Sequence, residues 1–297
     1  MKLNKSRITT LVLFLVFLAI SVSDSIDAMS WPSEDAVLIR NFGVNNGGKP
    51  VLGIIFEGET NVLAAERGEI IFSRNKNDPA SRLPSPLGAW TAVDHGDGLI
   101  SIYCRYNDQS DLKNENQVNK ELSIAVSGIS GWSSREGFYF LLFDRRERRW
   151  INPAMIITPA RETRPPQIIS VTLRNEQGLV VQSNNLVQGR YTVVVNTTGG
   201  IPANLRTNPS VQYAPQRILC SINGAEVGSL NFEAVSARDG ILMVSRNGLV
   251  PVKQIYANVP AYEAAEVFLP RGQARLEVIV QDINGNSSNI VSQLIVN

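Results

Sequence analysis

Histidine and cysteine, the side chains most often used in zinc and thiol chemistry, are scarce in this chain. The chain contains one histidine, His95, and two cysteines, Cys104 and Cys220. A tetrahedral zinc site needs several converging imidazole, thiolate or carboxylate ligands, so one imidazole and one thiolate at this spacing do not predict such a site. A serine hydrolase would have to use His95, yet the sequence has no Gly-x-Ser-x-Gly elbow.

Other chemistries leave no clearer pattern. Paired carboxylates for glycoside hydrolysis remain open, because two acids can meet from any positions in a chain, but no pair stands out. No glycine-rich loop precedes a helix, so phosphate binding is not predicted. The 28 basic and 27 acidic residues leave a net charge of +1, which gives no electrostatic reason to expect a nucleic acid as partner.

A predicted β-hairpin positions His95 and Cys104. Two runs rich in β-branched and aromatic residues, 90–94 and 99–106, flank Gly96-Asp97-Gly98, and a glycine-rich turn between such runs is typical of a hairpin. Similar short runs recur along the 297-residue chain, and nowhere does an apolar helical period last for three turns. The sequence therefore predicts an all-β protein, long enough for two domains.

The first residues have the pattern of a secretory signal peptide, which we predict over residues 1–28. Three basic residues precede an apolar run at 11–22, and a small-x-small site follows at 21–23. An uncleaved membrane anchor is the alternative, although the run is short for a membrane span. The mature protein is expected to be secreted across the inner membrane, to the periplasm or cell surface, with no stable membrane span after cleavage.

A proline-rich segment at 161–166 predicts a linker between a first domain at 29–160 and a second at 167–297. In the second domain, strand-like runs recur at the spacing of a β-sandwich. Its Asp282-x-x-Gly285-Asn286 turn before a final strand resembles the end of bacterial immunoglobulin-like domains. The two cysteines fall in predicted strands of different domains, so two independent buried thiols are expected, with an inter-domain disulfide as the alternative.

The first domain, over residues 37–157, resembles the LytM-type (M23) zinc endopeptidases, which cut peptidoglycan cross-bridges. The resemblance rests on segments similar to the family's His-x-Gly-x-Asp loop, its strand pair, its Asp-His-Gly turn, its His-x-His strand and its closing Asn-Pro: 51–55, 61–71, 94–96, 131–141 and 152–153. In that family these segments supply two zinc-binding residues from the loop, a catalytic histidine at the end of the hairpin, and one catalytic and one zinc-binding histidine from the strand. By this resemblance, the corresponding places hold Val51, Ile55, Arg105 and, approximately, Phe138 and Phe140.

The resemblance therefore implies the family's fold without its metal, its catalytic residues or any other cofactor. Two interpretations of the replaced residues stay open. The apolar side chains either fill a floor that is no longer used, or they form a retained binding groove. The candidate groove residues are Arg105, Tyr103, Phe138, Phe140 and His95.

The functional hypothesis is a non-enzymatic one. Degenerate LytM-like proteins resemble activators of cell-wall amidases, which implies a binding or regulatory module in peptidoglycan remodelling. Its partner would be a cell-wall amidase, another envelope protein or peptidoglycan, although no sugar-binding motif is visible. The alternatives are an active M23 metalloendopeptidase with relocated ligands and a structural or adhesive surface protein. The basic run Arg145–Arg149 is interpreted as a solvated hairpin tip, or else as a contact for an anionic polymer or membrane surface.

Overall fold

The computed structural model describes residues 28–75, 83–109, 112, 116–157, 163–199, 201–202, 206–207, 213–256 and 261–297. Residues 1–27 of the predicted signal peptide and residues 161–162 of the predicted linker lie outside this part. Within it, no helix is both long enough and apolar enough to span a membrane.

Ten strands lie in the described part of the chain before residue 157: β1 (Val37–Arg40), β2 (Ile54–Glu57), β3 (Asn61–Leu63), β4 (Gly68–Arg74), β5 (Ala89–Asp94), β6 (Leu99–Gln109), β7 (Gln117–Val118), β8 (Ser123–Ser127), β9 (Gly137–Asp144) and β10 (Arg149–Ile151). A single 3-10 turn, Pro153–Met155, follows them and is capped by the Asn152 side chain. The all-β prediction is confirmed for this part of the molecule.

Thirteen strands lie in the described part after that turn: β11 (Thr163–Arg164), β12 (Gln167–Asn175), β13 (Val180–Val181), β14 (Gly189–Thr198), β15 (Ile201–Pro202), β16 (Arg206–Thr207), β17 (Arg217–Ile222), β18 (Ala225–Arg238), β19 (Ile241–Arg246), β20 (Leu249–Pro251), β21 (Tyr262–Leu269), β22 (Gly272–Gln281) and β23 (Ser287–Val296). A second 3-10 turn, Val252–Gln254, lies between β20 and β21. Strand β11 occupies part of the segment predicted as a linker.

The predicted hairpin is formed by β5 and β6, which pair antiparallel from Ala89 to Asp94. Asp97 and Gly98 in its turn have φ angles of +48° and +83°. Glycine adopts this left-handed backbone without steric cost, and aspartate tolerates it better than most residues. The hairpin prediction is therefore confirmed, and its reversal depends on the residues that the sequence places there.

Strand β9 lies at the centre of the N-terminal sheet, between β2 and β6. Its first six residues are buried, because both of its faces are covered. The side chains of one face point into the interior of the N-terminal part. The other packs into a hydrophobic cluster that includes residues of the C-terminal part. A strand covered on both faces has a continuous apolar sequence rather than an alternating one.

The C-terminal part is a further β domain built from two layers. Strands β13, β12, β14 and β21 form one sheet, and β18, β17, β22 and β23 are neighbours in the other. In β22, alternate residues from Ala274 to Val280 are buried, as expected for a strand with one face on the core. The immunoglobulin-like assignment of this domain and the predicted boundaries stay predictions.

The two parts are joined by strand pairing as well as by side-chain packing. Strand β10 pairs antiparallel with β18, so that Trp150 lies opposite Val235, and β1 pairs parallel with β16. The hairpin tip between β9 and β10 remains on the surface, where Arg145 lies 3.2 Å from Asp94 in an ion pair. The two interpretations of that basic tip stay open.

Candidate functional site

The register between β2 and β9 decides which side chains share the face that corresponds to the M23 cleft. Ile55 lies opposite Tyr139, and Ile54 lies opposite Phe140. Because successive side chains in a strand point to opposite faces, Ile55 shares its face with Tyr139. The cleft face of β9 therefore carries Tyr139 and Leu141.

This register corrects the placement of Phe138 and Phe140. Both side chains are buried inside the N-terminal part. Phe138 stacks on Phe56 with 4.8 Å between ring centroids, and Phe140 packs against Tyr103 at 5.3 Å. A shift of one residue along a strand moves a side chain to the other face. A groove lined by Tyr103, Phe138 and Phe140 is therefore not formed, since these rings fill the interior.

No pattern in the sequence distinguishes a register that places Phe138 and Phe140 on the cleft face from one that places Tyr139 and Leu141 there. Every residue from 138 to 143 is aromatic or aliphatic, so neither face of β9 stands out as polar. Tyr139 and Leu141 were missed for this reason. Only the pairing of β9 with β2 and β6, which are distant in sequence, shows which of them face the cleft.

The floor of the cleft face is apolar and closed. Val51, Leu141 and Cys104 are 4%, 3% and 0% exposed, and all three belong to the hydrophobic cluster that continues into the C-terminal domain. Ile55 is partly buried against the same cluster. A substrate chain in such a cleft would have to displace a packed core.

Tyr139 is the centre of this floor, and its hydroxyl makes one directed contact. Its hydroxyl accepts a hydrogen bond from the backbone N–H of Leu52 at 3.0 Å. Burial raises the pKa of Tyr139 well above its usual value, and this outweighs the hydrogen bond from Leu52, which lowers it. The phenol therefore stays protonated and acts as a support for the loop at 51–53.

Cys104 lies opposite Tyr139 across β6 and β9. Burial raises the pKa of its thiol, and the nearby Arg105 only partly opposes that shift. Because the thiolate is the reactive form of cysteine, a thiol in this setting is inert. Cys104 and Cys220 are both free and buried, and each lies in a strand of a different domain, as predicted.

Arg105 is the one predicted groove residue that lies beside the cleft floor. Its guanidinium carbon lies 5.0 Å from the centroid of the Tyr139 ring, a distance typical of cation–π contacts. Its φ angle is +71°, which is unfavourable for a side chain with a Cβ. Its Nε atom is buried without a partner among the described residues. Arg105 is thus both strained and incompletely satisfied.

These residues do not fit the zinc that the M23 peptidases bind. Val51, Ile55 and Leu141 have no donor atoms, and the Tyr139 oxygen already accepts a hydrogen bond. Within the described ranges, no three histidine, cysteine, aspartate or glutamate side chains form a group that could hold a metal. Zinc in proteins is bound by thiolate, imidazole and carboxylate, so this donor set does not match the metal's chemistry.

The C-terminal domain packs against the loop that connects β1 and β2. This loop leads into the cleft. The Tyr256 hydroxyl donates to the Gly43 carbonyl at 2.8 Å. Asn41 and Ala214 exchange two hydrogen bonds, each 2.8 Å long. A Cβ added at Gly43 would lie 2.5 Å from Phe232 Cδ1. The contact between loop and domain is therefore close and specific.

His95 lies at the hairpin turn, where it has a structural setting. Its Nδ1–H donates to the Arg67 carbonyl at 2.8 Å, and its Nε2 lies 2.7 Å from the Ser101 hydroxyl. Ser101 contacts the Tyr103 hydroxyl at 3.0 Å, and that oxygen also accepts the Ala65 N–H at 2.8 Å. Both ring nitrogens are thus engaged within the fold.

The environment of this hydrogen-bonded chain favours neutral groups. Burial lowers the pKa of His95, although the Arg67 carbonyl and the nearby acids Glu66 and Asp94 raise it in part. Burial likewise raises the pKa of Tyr103 to about 12. His95 is not brought together with Arg105 by any contact in the described structure, and its place in the predicted groove is not supported.

The comparisons with known proteins agree with this architecture. Residues 50–153 match the model of peptidase family M23, and a second family model matches residues 165–297. Residues 50–153 are therefore a peptidase M23 (LytM-like) domain, joined to a further β domain.

Two relatives and two solved structures illustrate the similarity. The chain is 29% identical over 114 residues to the murein hydrolase activator NlpD of Salmonella dublin and, with the same values, to that of Salmonella typhimurium. The match covers 38% of this chain and 28% of each relative, so the chain spans less than a third of their length. The catalytic domain of the M23 protein EnpA from Enterococcus faecalis is 20% identical, with 41% of this chain and 91% of that one covered and a TM-score of 0.34. Lysostaphin from Staphylococcus simulans is 14% identical, with 89% and 98% covered and a TM-score of 0.36.

Proposed function

We propose that this protein is a non-enzymatic module of the bacterial cell envelope that binds or regulates a partner in peptidoglycan remodelling. The observation that carries the proposal is the cleft face of the M23-type domain. Where hydrolysis needs metal ligands, the chain has Val51, Ile55, Tyr139 and Leu141. These side chains are packed against one another or beneath the C-terminal domain.

The regulatory part of the proposal is supported by the relatives. Two relatives that are 29% identical to this chain over 114 residues are named murein hydrolase activators. A cell-wall amidase is therefore the first partner to test, and another envelope protein or peptidoglycan itself comes next. The signal-peptide pattern supports a periplasmic or cell-surface location.

The test uses residues 29–297, dye-labelled peptidoglycan sacculi and a purified cell-wall amidase. We expect no dye release by the protein alone, with or without added zinc. We expect a several-fold faster release when it is added to the amidase. Release by the protein alone that depends on zinc would instead establish an active metallopeptidase. Binding to sacculi with no effect on any amidase would favour a structural or adhesive role.

A further inference from the structure

Strand β23 lies at an edge of the C-terminal domain, and most of its length is open to pairing. It pairs with β22 over ten consecutive residues without a register shift. Its other side makes a single bridge, between Leu186 and Val296, within the part of the chain that the structure describes. The strand contains neither a charged residue nor a proline. Natural edge strands are usually protected by charge, proline, a bulge or short length, and β23 has none of these.

Contacts near the end of β23 show which backbone groups point away from β22. The N–H of Ile295 donates to the Ser183 carbonyl at 3.2 Å, on the side opposite to β22. Because outward-pointing groups recur at every second residue of an antiparallel edge strand, the N–H and C=O groups of Asn289, Val291 and Gln293 also point outward. Among the described residues, these groups have no backbone partner. They are therefore available to another strand.

A cavity of about 270 Å³ opens between the two sheets of the C-terminal domain beside this edge. Residues of β12, β13 and the segment after β13 line one side, and Leu276, Ser292 and Leu294 line the other. Since alternate residues of a strand share a face, Ile290 lies on the same inner face as Ser292 and Leu294. Leu294 is buried, whereas Ile290 is 39% exposed. The inner face of β23 therefore leaves apolar surface uncovered next to the cavity.

The available backbone groups are arranged symmetrically about Val291, and a second copy of β23 matches that arrangement. When two copies pair antiparallel with Val291 opposite Val291, residue 289 of each copy lies opposite residue 293 of the other. Each outward N–H at 289, 291 and 293 then meets a C=O group of the other copy. A two-fold axis relates the two strands, and this is the commonest symmetry of protein dimers.

The same register places compatible side chains opposite one another. On the outer face, Val291 meets Val291, and the Asn289 amide meets the Gln293 amide. On the inner face, Ile290 of one copy lies opposite Ser292 of the other, beside the cavity. Self-pairing would bring like charges together on a charged strand, which is destabilising, but β23 has no charge.

We propose that two copies of this chain associate by antiparallel pairing of β23, centred on Val291, with Ile290 of each copy covering the cavity of the other. A strand of another protein can pair with the same backbone groups. The symmetry of the open segment and the position of Ile290 opposite the cavity favour a second copy.

Sedimentation velocity on residues 29–297 at increasing concentration tests the association. We expect a dimer fraction that grows with concentration, because a pair of single strands forms a small interface. Val291→Lys should raise the dissociation constant about tenfold, since a favourable cross-strand pair is replaced by like charges. Ile295→Lys is the matched control on the same face of the strand, where Ile295 is 53% exposed. It lies outside the open segment and should leave the dissociation constant unchanged.

Cysteine cross-linking tests the register. Val291→Cys places two thiols on directly opposite residues, within the Cα distance of a disulfide, so mild oxidation should give a covalent dimer. Asn289→Cys is the control, because the two thiols would be separated by about 14 Å along the strands. It should form a covalent dimer only when it is mixed with Gln293→Cys. Cys104 and Cys220 are buried and should not cross-link.

Three results would each overturn the proposal. The first is a chain that stays monomeric at every concentration, which would leave this edge to a strand of another protein. The second is a dimer that Val291→Lys does not weaken more than Ile295→Lys does. The third is cross-linking of Asn289→Cys alone that is as efficient as that of Val291→Cys. None of these measurements involves peptidoglycan or an amidase, so they are independent of the proposed function.

Discussion

The Tyr139 hydroxyl accepts the backbone N–H of Leu52 at 3.0 Å, so that a buried phenol supports the loop that supplies metal ligands in M23 peptidases. The ring of Tyr139 lies in the cleft face, with Ile55 directly opposite on β2. The face that the M23 resemblance assigns to a metal centre is here part of a hydrophobic core, with one directed hydrogen bond at its middle.

We predict that Tyr139→Phe lowers the free energy of unfolding by about 1 kcal/mol, the usual net value of one hydrogen bond. The aromatic ring and its contact with Arg105 are retained, so the decrease in the free energy of unfolding measures the contribution of the hydroxyl alone. Urea denaturation measures it. An unchanged midpoint would mean that Leu52 finds another acceptor and that the phenol does not support the loop.

The register of β9 predicts where zinc affinity can be restored. Replacement of Val51, Ile55, Tyr139 and Leu141 by His, Asp, His and His should bring four side chains of the types that bind zinc to one face. We expect the melting temperature of this variant to rise with added zinc, because a metal that binds only the folded state stabilises it, by about 2.7 kcal/mol at a hundredfold excess over Kd.

The matched control for that variant keeps the changes at Val51 and Ile55 but places histidines at Phe138 and Phe140. These positions face the interior, so the control should melt at the same temperature with and without zinc. If the control responds to zinc and the first variant does not, the register described here is wrong. If either variant folds only with metal, circular dichroism spectra recorded with and without zinc will show it.

Protonation of His95 should destabilise the fold. Because burial lowers its pKa in the folded state below the ordinary value of 6.5, the unfolded chain binds the proton more readily. The stability that neutral His95 contributes is therefore fully present above pH 6.5. It is lost progressively as the pH falls through that value, until the folded pKa is passed.

Urea denaturation at pH 7.5 and pH 5.5 measures this dependence, with His95→Asn as the control. Asparagine keeps a donor for the Arg67 carbonyl but cannot titrate. The wild type should lose more stability than His95→Asn between these two pH values. Equal losses would show that other groups cause the dependence.

Gly43 should be intolerant of a side chain because of the C-terminal domain. Its φ is +82°, and a Cβ there would lie 2.5 Å from Phe232 Cδ1. Gly43→Ala combines left-handed strain of about 1–2 kcal/mol with overpacking of about 1–3 kcal/mol. Gly47 has a φ of +64° and nothing within 4 Å of its added Cβ, so Gly47→Ala should show the strain alone.

A double-mutant cycle with Phe232→Ala tests the cause of that difference. Removal of the Phe232 ring should reduce the destabilisation that Gly43→Ala causes, since the effects of substitutions at residues in contact are not additive. Full additivity of the two changes would show that the loop does not pack on Phe232 in solution.

Arg105 offers a test of backbone strain. With φ at +71°, Arg105→Gly should be more stable than Arg105→Ala by about 1 kcal/mol, since only glycine adopts this conformation freely. Thermal denaturation of the two variants measures the difference. Alanine equal to or better than glycine would mean that the left-handed conformation is not kept.

Local sequence patterns predicted much of the fold. The runs on either side of Gly96-Asp97-Gly98 predicted the β5–β6 hairpin, because turn chemistry and strand propensity act between neighbours in the chain. The absence of a helical period predicted the all-β class. The absence of ligand types at Val51 and Ile55 predicted an apolar floor, since side-chain chemistry is read directly from the sequence.

Tertiary structure alone decided which side chains share that floor. Residues 138–143 are uniformly apolar, so the choice between Phe138 and Tyr139 depends on hydrogen bonds with β2, which lies far away in the chain. The cover over the cleft depends on contacts such as Tyr256 with Gly43, 213 residues apart. The cavity beside β23 likewise exists only where two sheets meet. Such relationships are set by the packing of distant segments, which no local pattern records.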